Sequence, residues 1–172
     1  MGLRPAHCYR EIERAYTRHS KYKSKSYIKG IPALKITKFD FGNLTKNFES
    51  RIDIFPKIDI QIRHNSIEST RMLANRRLHR NLGANYRLKI RVYPHHVLRE
   101  HKMLTGAGAD RMSPGMSQAF GKPIGIAAQV KEKQPIMSIY VDKKDVKTVI
   151  DILDVARKRL PCKCGISVLQ NN

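Results

Sequence analysis

HKMLTGAGADRMSPGMSQAFGKP, residues 101–123, is the stretch on which the reading of this chain turns. It holds Gly106, Gly108, Gly115 and Gly121, the prolines Pro114 and Pro123, and the methionines Met103, Met112 and Met116. Its apolar residues keep neither the helical nor the strand period, so it is a loop. Irregular segments of this length are usually functional or disordered. Disordered segments are typically hydrophilic and highly charged, whereas the only charged residues here are Lys102, Arg111, Lys122 and Asp110. Strand-like sequence lies on both sides, and a loop held at both ends by sheet suits a projection on a rigid base.

On the N-terminal side, residues 86–93 alternate, with Leu88, Ile90 and Val92 inward and Arg87, Lys89 and Arg91 outward. Pro94 interrupts this strand, and residues 95–103 run extended into the loop. On the C-terminal side, residues 124–130 and 136–141 are two further strands, joined by a turn at 133–135. Farther out, residues 57–64 place Ile58, Ile60 and Ile62 on one face and Asp59, Gln61 and Arg63 on the other. Residues 35–40 form a short strand. The segment 41–55, punctuated by Gly42, Asn43, Asn47 and Ser50, is a connection.

Two helices complete the pattern. The first covers 66–82, with Asn65 and Glu68 as a capping pair, an apolar stripe of Ile67, Ala74, Leu78 and Leu82, and Gly83 as the stop. The second covers 142–160, with Asp142 as N-cap and Val146, Val149, Ile150, Leu153 and Leu160 at helical spacing. Asp142 and Asp145 begin it, and Arg157, Lys158 and Arg159 end it, as the helix dipole favours. Residues 166–169 add a closing strand. The fold class is therefore α+β, a mostly antiparallel sheet with two helices and a long Gly-rich loop. No repeat or linker divides residues 1–172, which make a single domain.

The balance of 34 Lys+Arg against 14 Asp+Glu gives a net charge of +20 and a pI near 10.2. Such a charge speaks of partners, and the usual ones are nucleic acid or an anionic membrane. No apolar run approaches the ~20 residues of a membrane span, and residues 1–30 lack the apolar core of a signal peptide. An odd number of cysteines, three, does not suggest a secreted disulfide framework. The cytosol is the expected compartment.

The cations are not spread evenly. In residues 1–30, Arg4, Arg10, Arg14, Arg18, Lys21, Lys23, Lys25 and Lys29 interleave with Tyr9, Tyr16, Tyr22 and Tyr27. Cations that pair with phosphate, beside rings that stack on bases, make an RNA-binding arm. On the first helix Arg71, Arg76, Arg77 and Arg80 lie off the apolar stripe and form a second candidate surface. Arg87, Lys89 and Arg91 form a third.

Enzyme chemistry through the Gly-rich loop is the competing class, acting on RNA or nucleotides. A phosphate-binding loop needs Gly, four residues, then Gly-Lys-Ser/Thr. Before Gly121-Lys122 the required glycine would stand at Met116, and Pro123 supplies no hydroxyl. In Gly106-Ala107-Gly108-Ala109-Asp110-Arg111 an arginine replaces the third glycine of the dinucleotide fingerprint. Cys162-x-Cys164 is tighter than a zinc knuckle and no second pair follows, though His7 or Cys8 could in principle complete a site across the fold. His95, His96 and His101 have no nucleophile in a recognisable motif beside them. No catalytic residue, metal or cofactor is expected. A free-standing regulator is also disfavoured, since helix-turn-helix, zinc-finger and RNP patterns are all missing.

Three segments carry a resemblance: residues 2–10 (GLRPAHCYR), HHVLREHKMLTGAGADRM and GMSQAFGKPIG. Together they resemble the large-subunit ribosomal protein family called L-ten-e in archaea and eukaryotes and L-sixteen in bacteria. The similarity extends over almost the whole chain and looks archaeal. It implies a two-layer α/β-hammerhead fold and a binding protein rather than an enzyme. The implied partners are large-subunit ribosomal RNA, the neighbourhood of the 5S RNA and central protuberance, transfer RNA, and adjacent large-subunit proteins. The resemblance also implies a loop directed to the peptidyl-transferase centre, and a role in late subunit assembly. Onto that loop it carries Arg99, Lys102, Met103, Gly106, Ala107, Gly108, Asp110, Arg111, Met112 and Lys122.

Overall fold

The computed structural model of the chain describes residues 3–170. It is an α+β fold of two antiparallel sheets and three helices. The strands are β1 (Asp40–Gly42), β2 (Ser50–Pro56), β3 (Ile60–Arg63), β4 (Arg87–Ile90), β5 (His96–Glu100), β6 (Lys122–Val130), β7 (Met137–Val141) and β8 (Cys164–Gln170). The first sheet has the order β1-β4-β7-β2-β8, the second β3-β6-β5. Helix α1 (His64–Leu82) leads from the second sheet back towards the first, α2 (Ala109–Met112) is a single turn within the long loop, and α3 (Val146–Ala156) packs on α1.

Register explains the main core. Ile139 of β7 stands opposite Ile52 of β2 on one side and Leu88 of β4 on the other. All three are fully buried, as are Ile67 and Leu78 of α1 and Leu153 of α3. Each such side chain contributes roughly 1.5–3 kcal/mol by leaving water. Helices α1 and α3 thus exist by burying an apolar stripe, and α1 stops where Gly83 adopts φ 59° and returns its N–H to the carbonyl of His79 at 3.0 Å.

Several expectations from sequence need correction. The connection placed at 41–55 contains β2, an interior strand of the first sheet paired with both β7 and β8. The strand placed at 35–40 is regular only from Asp40, where pairing with β4 begins; Ile36 is nonetheless buried in the main core. In 57–64, Ile58 is exposed, and His64 already belongs to α1. No Asn65–Glu68 capping pair forms: Glu68 turns instead to Arg71, and the Asn65 side chain accepts from the N–H of Ser66. Asp142 does not cap α3. Its carboxylate takes the Lys46 ammonium at 2.7 Å, and short 3₁₀ turns, Lys143–Asp145 and Arg157–Arg159, replace the ends of the long helix expected there.

The loop is carried as its flanks suggest, between β5 and β6, which pair with each other. At its root the register shifts between Leu98 and Arg99, so that Leu98 faces Gly125 while Arg99 faces Pro123. Such an irregularity bends the ladder and re-aims a side chain. The loop is also less irregular than expected, since α2 turns at its tip, after Gly108 in the left-handed region at φ 73°. Farther down, the N–H of Leu104 donates to the Ser113 hydroxyl at 3.3 Å across the loop.

Candidate nucleic-acid interface

The N-terminal arm does not stand apart from the body. The backbone N–H of Gln61, on the open edge of β3, donates to the carbonyl of Arg10 at 2.9 Å, and its side-chain amide donates to that of Tyr9 at 3.1 Å. Gln129 donates to the carbonyl of Glu13 at 2.9 Å and Arg63 to that of Arg4 at 2.8 Å. Ile28 then enters a small core with Val97 and Ile126 of the second sheet. Backbone carbonyls thus fasten the arm, which leaves its cationic side chains outward. Arg10, Arg14, Arg18, Lys21, Tyr22, Lys23 and Lys25 are all exposed. Arg4, also exposed, is tied to Glu100 at 2.7 Å.

Docking brings arm and loop root together. Re-aimed by the irregularity in β5, Arg99 donates to the carbonyl of Phe120, and its guanidinium lies 5.5 Å from the centroid of the Tyr16 ring. Tyr16 meets Tyr27 edge-on at 5.7 Å, and His101 sits 5.0 Å from Phe120. Tyr27, Ile28 and Lys29 of the arm face His101, Lys102, Phe120, Lys122 and Ile124 across an open groove of about 900 Å³. Aromatic rings (Tyr27, Phe120) and lysines (Lys29, Lys102, Lys122) line it together, a combination suited to an unstacked base and its phosphate. Beyond the groove, Met103, Gly106, Ala107, Gly108, Asp110, Arg111 and Met112 are all exposed.

The second surface is the outer face of α1. Arg76, Arg77 and Arg80 are exposed and pair with no carboxylate among the described residues. Arg71, expected beside them, is set apart. It is half-buried, donates to the Glu68 carboxylate through Nε and Nη2 at 2.9 and 2.6 Å, and lies 4.4 Å from the Phe41 ring centroid. Arg87 differs likewise from the outward cation expected on β4. It reaches Asp40 at 3.4 Å and lies over the Tyr140 ring at 5.6 Å, half-buried. Lys89 is also half-buried, and only Arg91 of that group is fully outward.

Sequence reasoning placed Tyr27 and Lys29 in the arm without singling them out as contact residues, weighed His101 only as a base, and passed over Phe120. The available signal was the tyrosine content of the arm; nothing local announces that Phe120 faces it. His96 and His64 have structural roles. Burial lowers the His96 pKa, and its ring sits among the side-chain amides of Gln61 and Gln129. Burial also lowers that of His64, whose Nδ1 accepts the Lys35 N–H at 3.4 Å. Among the described residues no group of three or more His, Cys, Asp or Glu could hold a metal ion, and no helix is long and apolar enough to cross a membrane.

A family model described as ribosomal protein L16p/L10e matches residues 13–167. The large ribosomal subunit protein uL16 of Archaeoglobus fulgidus is 43% identical over 169 residues, covering 98% of this chain and 94% of its own. That of Staphylothermus marinus is 46% identical, with 96% and 93% covered, and that of Methanospirillum hungatei 44%, with 94% and 92%. With this match over nearly the full length, on a basic α+β body, the chain belongs to the ribosomal protein L16p/L10e family, as an archaeal-like protein of the large ribosomal subunit.

Proposed function

We propose that the protein is a structural constituent of the large subunit in the cytoplasm that grips ribosomal RNA at two surfaces and presents its long loop to transfer RNA. One observation carries this reading: the docked arm and the loop root converge on a groove lined by Tyr27, Phe120, Lys29 and Lys122, with the exposed loop tip beyond it. The arm and the outer face of α1 neutralise phosphates, which supplies affinity but not sequence discrimination. Aromatic groups at the groove accept splayed bases. The loop, seated on β5 and β6, extends from the anchored body towards the peptidyl-transferase centre.

A site near the 5S RNA and central protuberance, contacts with neighbouring ribosomal proteins, and entry late in subunit assembly complete the proposal. They follow from membership of the family rather than from a contact in the chain itself. The role requires no catalysis and no cofactor.

Ultraviolet crosslinking of ribosomes loaded with transfer RNA, followed by mass mapping of peptide–nucleotide adducts, tests the interface. Adducts are expected within residues 4–29, around Phe120 and on α1, with transfer-RNA adducts confined to the loop between Lys102 and Met112. Adducts clustered on α3 and β8 instead would overturn the orientation.

A further inference from the structure

The two cysteines near the C-terminus take no part in the RNA surfaces, yet they are placed together. Cys162 and Cys164 are free thiols whose sulfurs lie 3.5 Å apart. Cys164 opens β8 and is buried, its backbone fixed by pairing with Pro56 and by Arg157, which donates to its carbonyl at 3.1 Å. Cys162 is half-buried, in the bend before the strand, and lines an open pocket with Arg10, Arg157, Lys158 and Lys163. A zinc knuckle would need further ligands, and the described residues bring none.

We propose that Cys162 and Cys164 form a peroxide-oxidisable dithiol that closes to an intramolecular disulfide. The pair has the asymmetry such chemistry requires: an accessible sulfur in a cationic pocket and a sheltered one in contact with it. The hydrogen bond between them lowers the Cys162 pKa and raises that of Cys164. In the first step the Cys162 thiolate attacks one oxygen of hydrogen peroxide. An S–O bond forms, the O–O bond breaks, and hydroxide leaves, giving the sulfenic acid. The Cys164 sulfur then attacks the Cys162 sulfur. An S–S bond forms, the S–O bond breaks, and the departing hydroxide takes up the Cys164 proton as water. Two thiols lose two electrons in total, and the peroxide, taking up two protons, becomes two waters. The sulfurs must draw together to about 2.05 Å, a side-chain movement.

The full chain in a Cys8→Ser background, which removes the other thiol, is exposed to graded hydrogen peroxide and mapped by mass spectrometry. The expected product is a peptide lighter by two hydrogens, containing both Cys162 and Cys164, inert to a maleimide and restored by dithiothreitol. In Cys164→Ser the same treatment should leave a Cys162 sulfenic acid that dimedone traps, and Cys162→Ser should yield no such adduct. The unsubstituted chain is mapped alongside, so that a variant that folds poorly does not decide the outcome. Both thiols still alkylating after peroxide, dimedone capture at Cys164 rather than Cys162, or a disulfide linking two chains as the main product would each overturn the proposal.

Discussion

The backbone N–H of Gln61 and the carbonyl of Arg10 are 2.9 Å apart, and this bond helps turn a basic N-terminal segment into the cover of a sheet edge. An open edge invites pairing with other chains, so arm and body should depend on each other. Deleting residues 1–29 is expected to leave the first sheet and the packing of α1 on α3 intact while lowering the unfolding temperature and raising the tendency to associate. Ile28→Ala alone should cost about 2–5 kcal/mol, because Ile28 is buried against Val97 and Ile126. Thermal unfolding with light scattering checks both, and an unchanged unfolding temperature would detach the arm from the core.

Phosphate contact predicts a steep response to salt. Affinity for a fragment of large-subunit RNA should fall with a log–log slope of magnitude roughly 5 or more. Replacing Arg76, Arg77 and Arg80 by Ala together should reduce the slope by about 2–3, roughly one for each phosphate no longer neutralised, with the circular dichroism spectrum preserved. Arg71→Ala should behave differently and lower stability as well, since it removes the partner of Glu68 and the cation over Phe41. Filter binding across a salt series distinguishes the two.

Shortening the loop separates scaffold from reach. Residues 105–112 include no buried side chain, so replacing them by a brief Gly-Ser connection should cost little stability. Loop-closure entropy changes by only about 0.6 kcal/mol per doubling of length. Binding to RNA fragments should hold, while ribosomes carrying the variant translate poorly or their large subunits stall late in maturation. Normal elongation by such ribosomes would contradict the role proposed for the loop.

The two shifted histidines give a pH dependence of definite sign. Burial lowers the folded-state pKa of His64 and of His96 below the ordinary 6.5. The unfolded chain therefore binds protons first as pH falls, and stability drops as pH descends through about 6.5 towards the folded values. The contribution is fully present above that range. Melting temperatures between roughly pH 5.5 and 7.5 should decline on the acid side, and a His64→Asn, His96→Asn pair should flatten the slope.

Legibility in the sequence followed the range of the interactions. Strand 86–93 was readable because it alternates locally, 124–130 and 136–141 because they are short runs rich in apolar residues, and α1 because Ile67, Ala74 and Leu78 form a stripe at helical spacing. Strand β2 was not, because Gly42, Asn43 and Asn47 precede it like turn signals, while its pairing partners arrive from β7 and β8. Buried Asp53 adds to the disguise; it is compatible with the sheet because Arg51, two residues away on the same strand, bonds its carboxylate. On the candidate surface, Arg76, Arg77 and Arg80 could be read from helical spacing, whereas Arg87 was withdrawn by Asp40, a partner 47 positions distant. The groove depends on the same kind of distance, since it unites residues 27–29 with 99–102 and 119–124.

The strand order of the first sheet also governs when this protein can fold. β2 is made early, yet both its neighbours, Met137–Val141 and Cys164–Gln170, are made late. During synthesis its apolar residues Ile52 and Ile54 have no permanent ladder to join until nearly all the described chain has left the ribosome. Non-local pairing of this kind is slow and leaves unpaired edges exposed. The first sheet can therefore be completed only after β7 has been made, and it is closed last, at one edge, by β8.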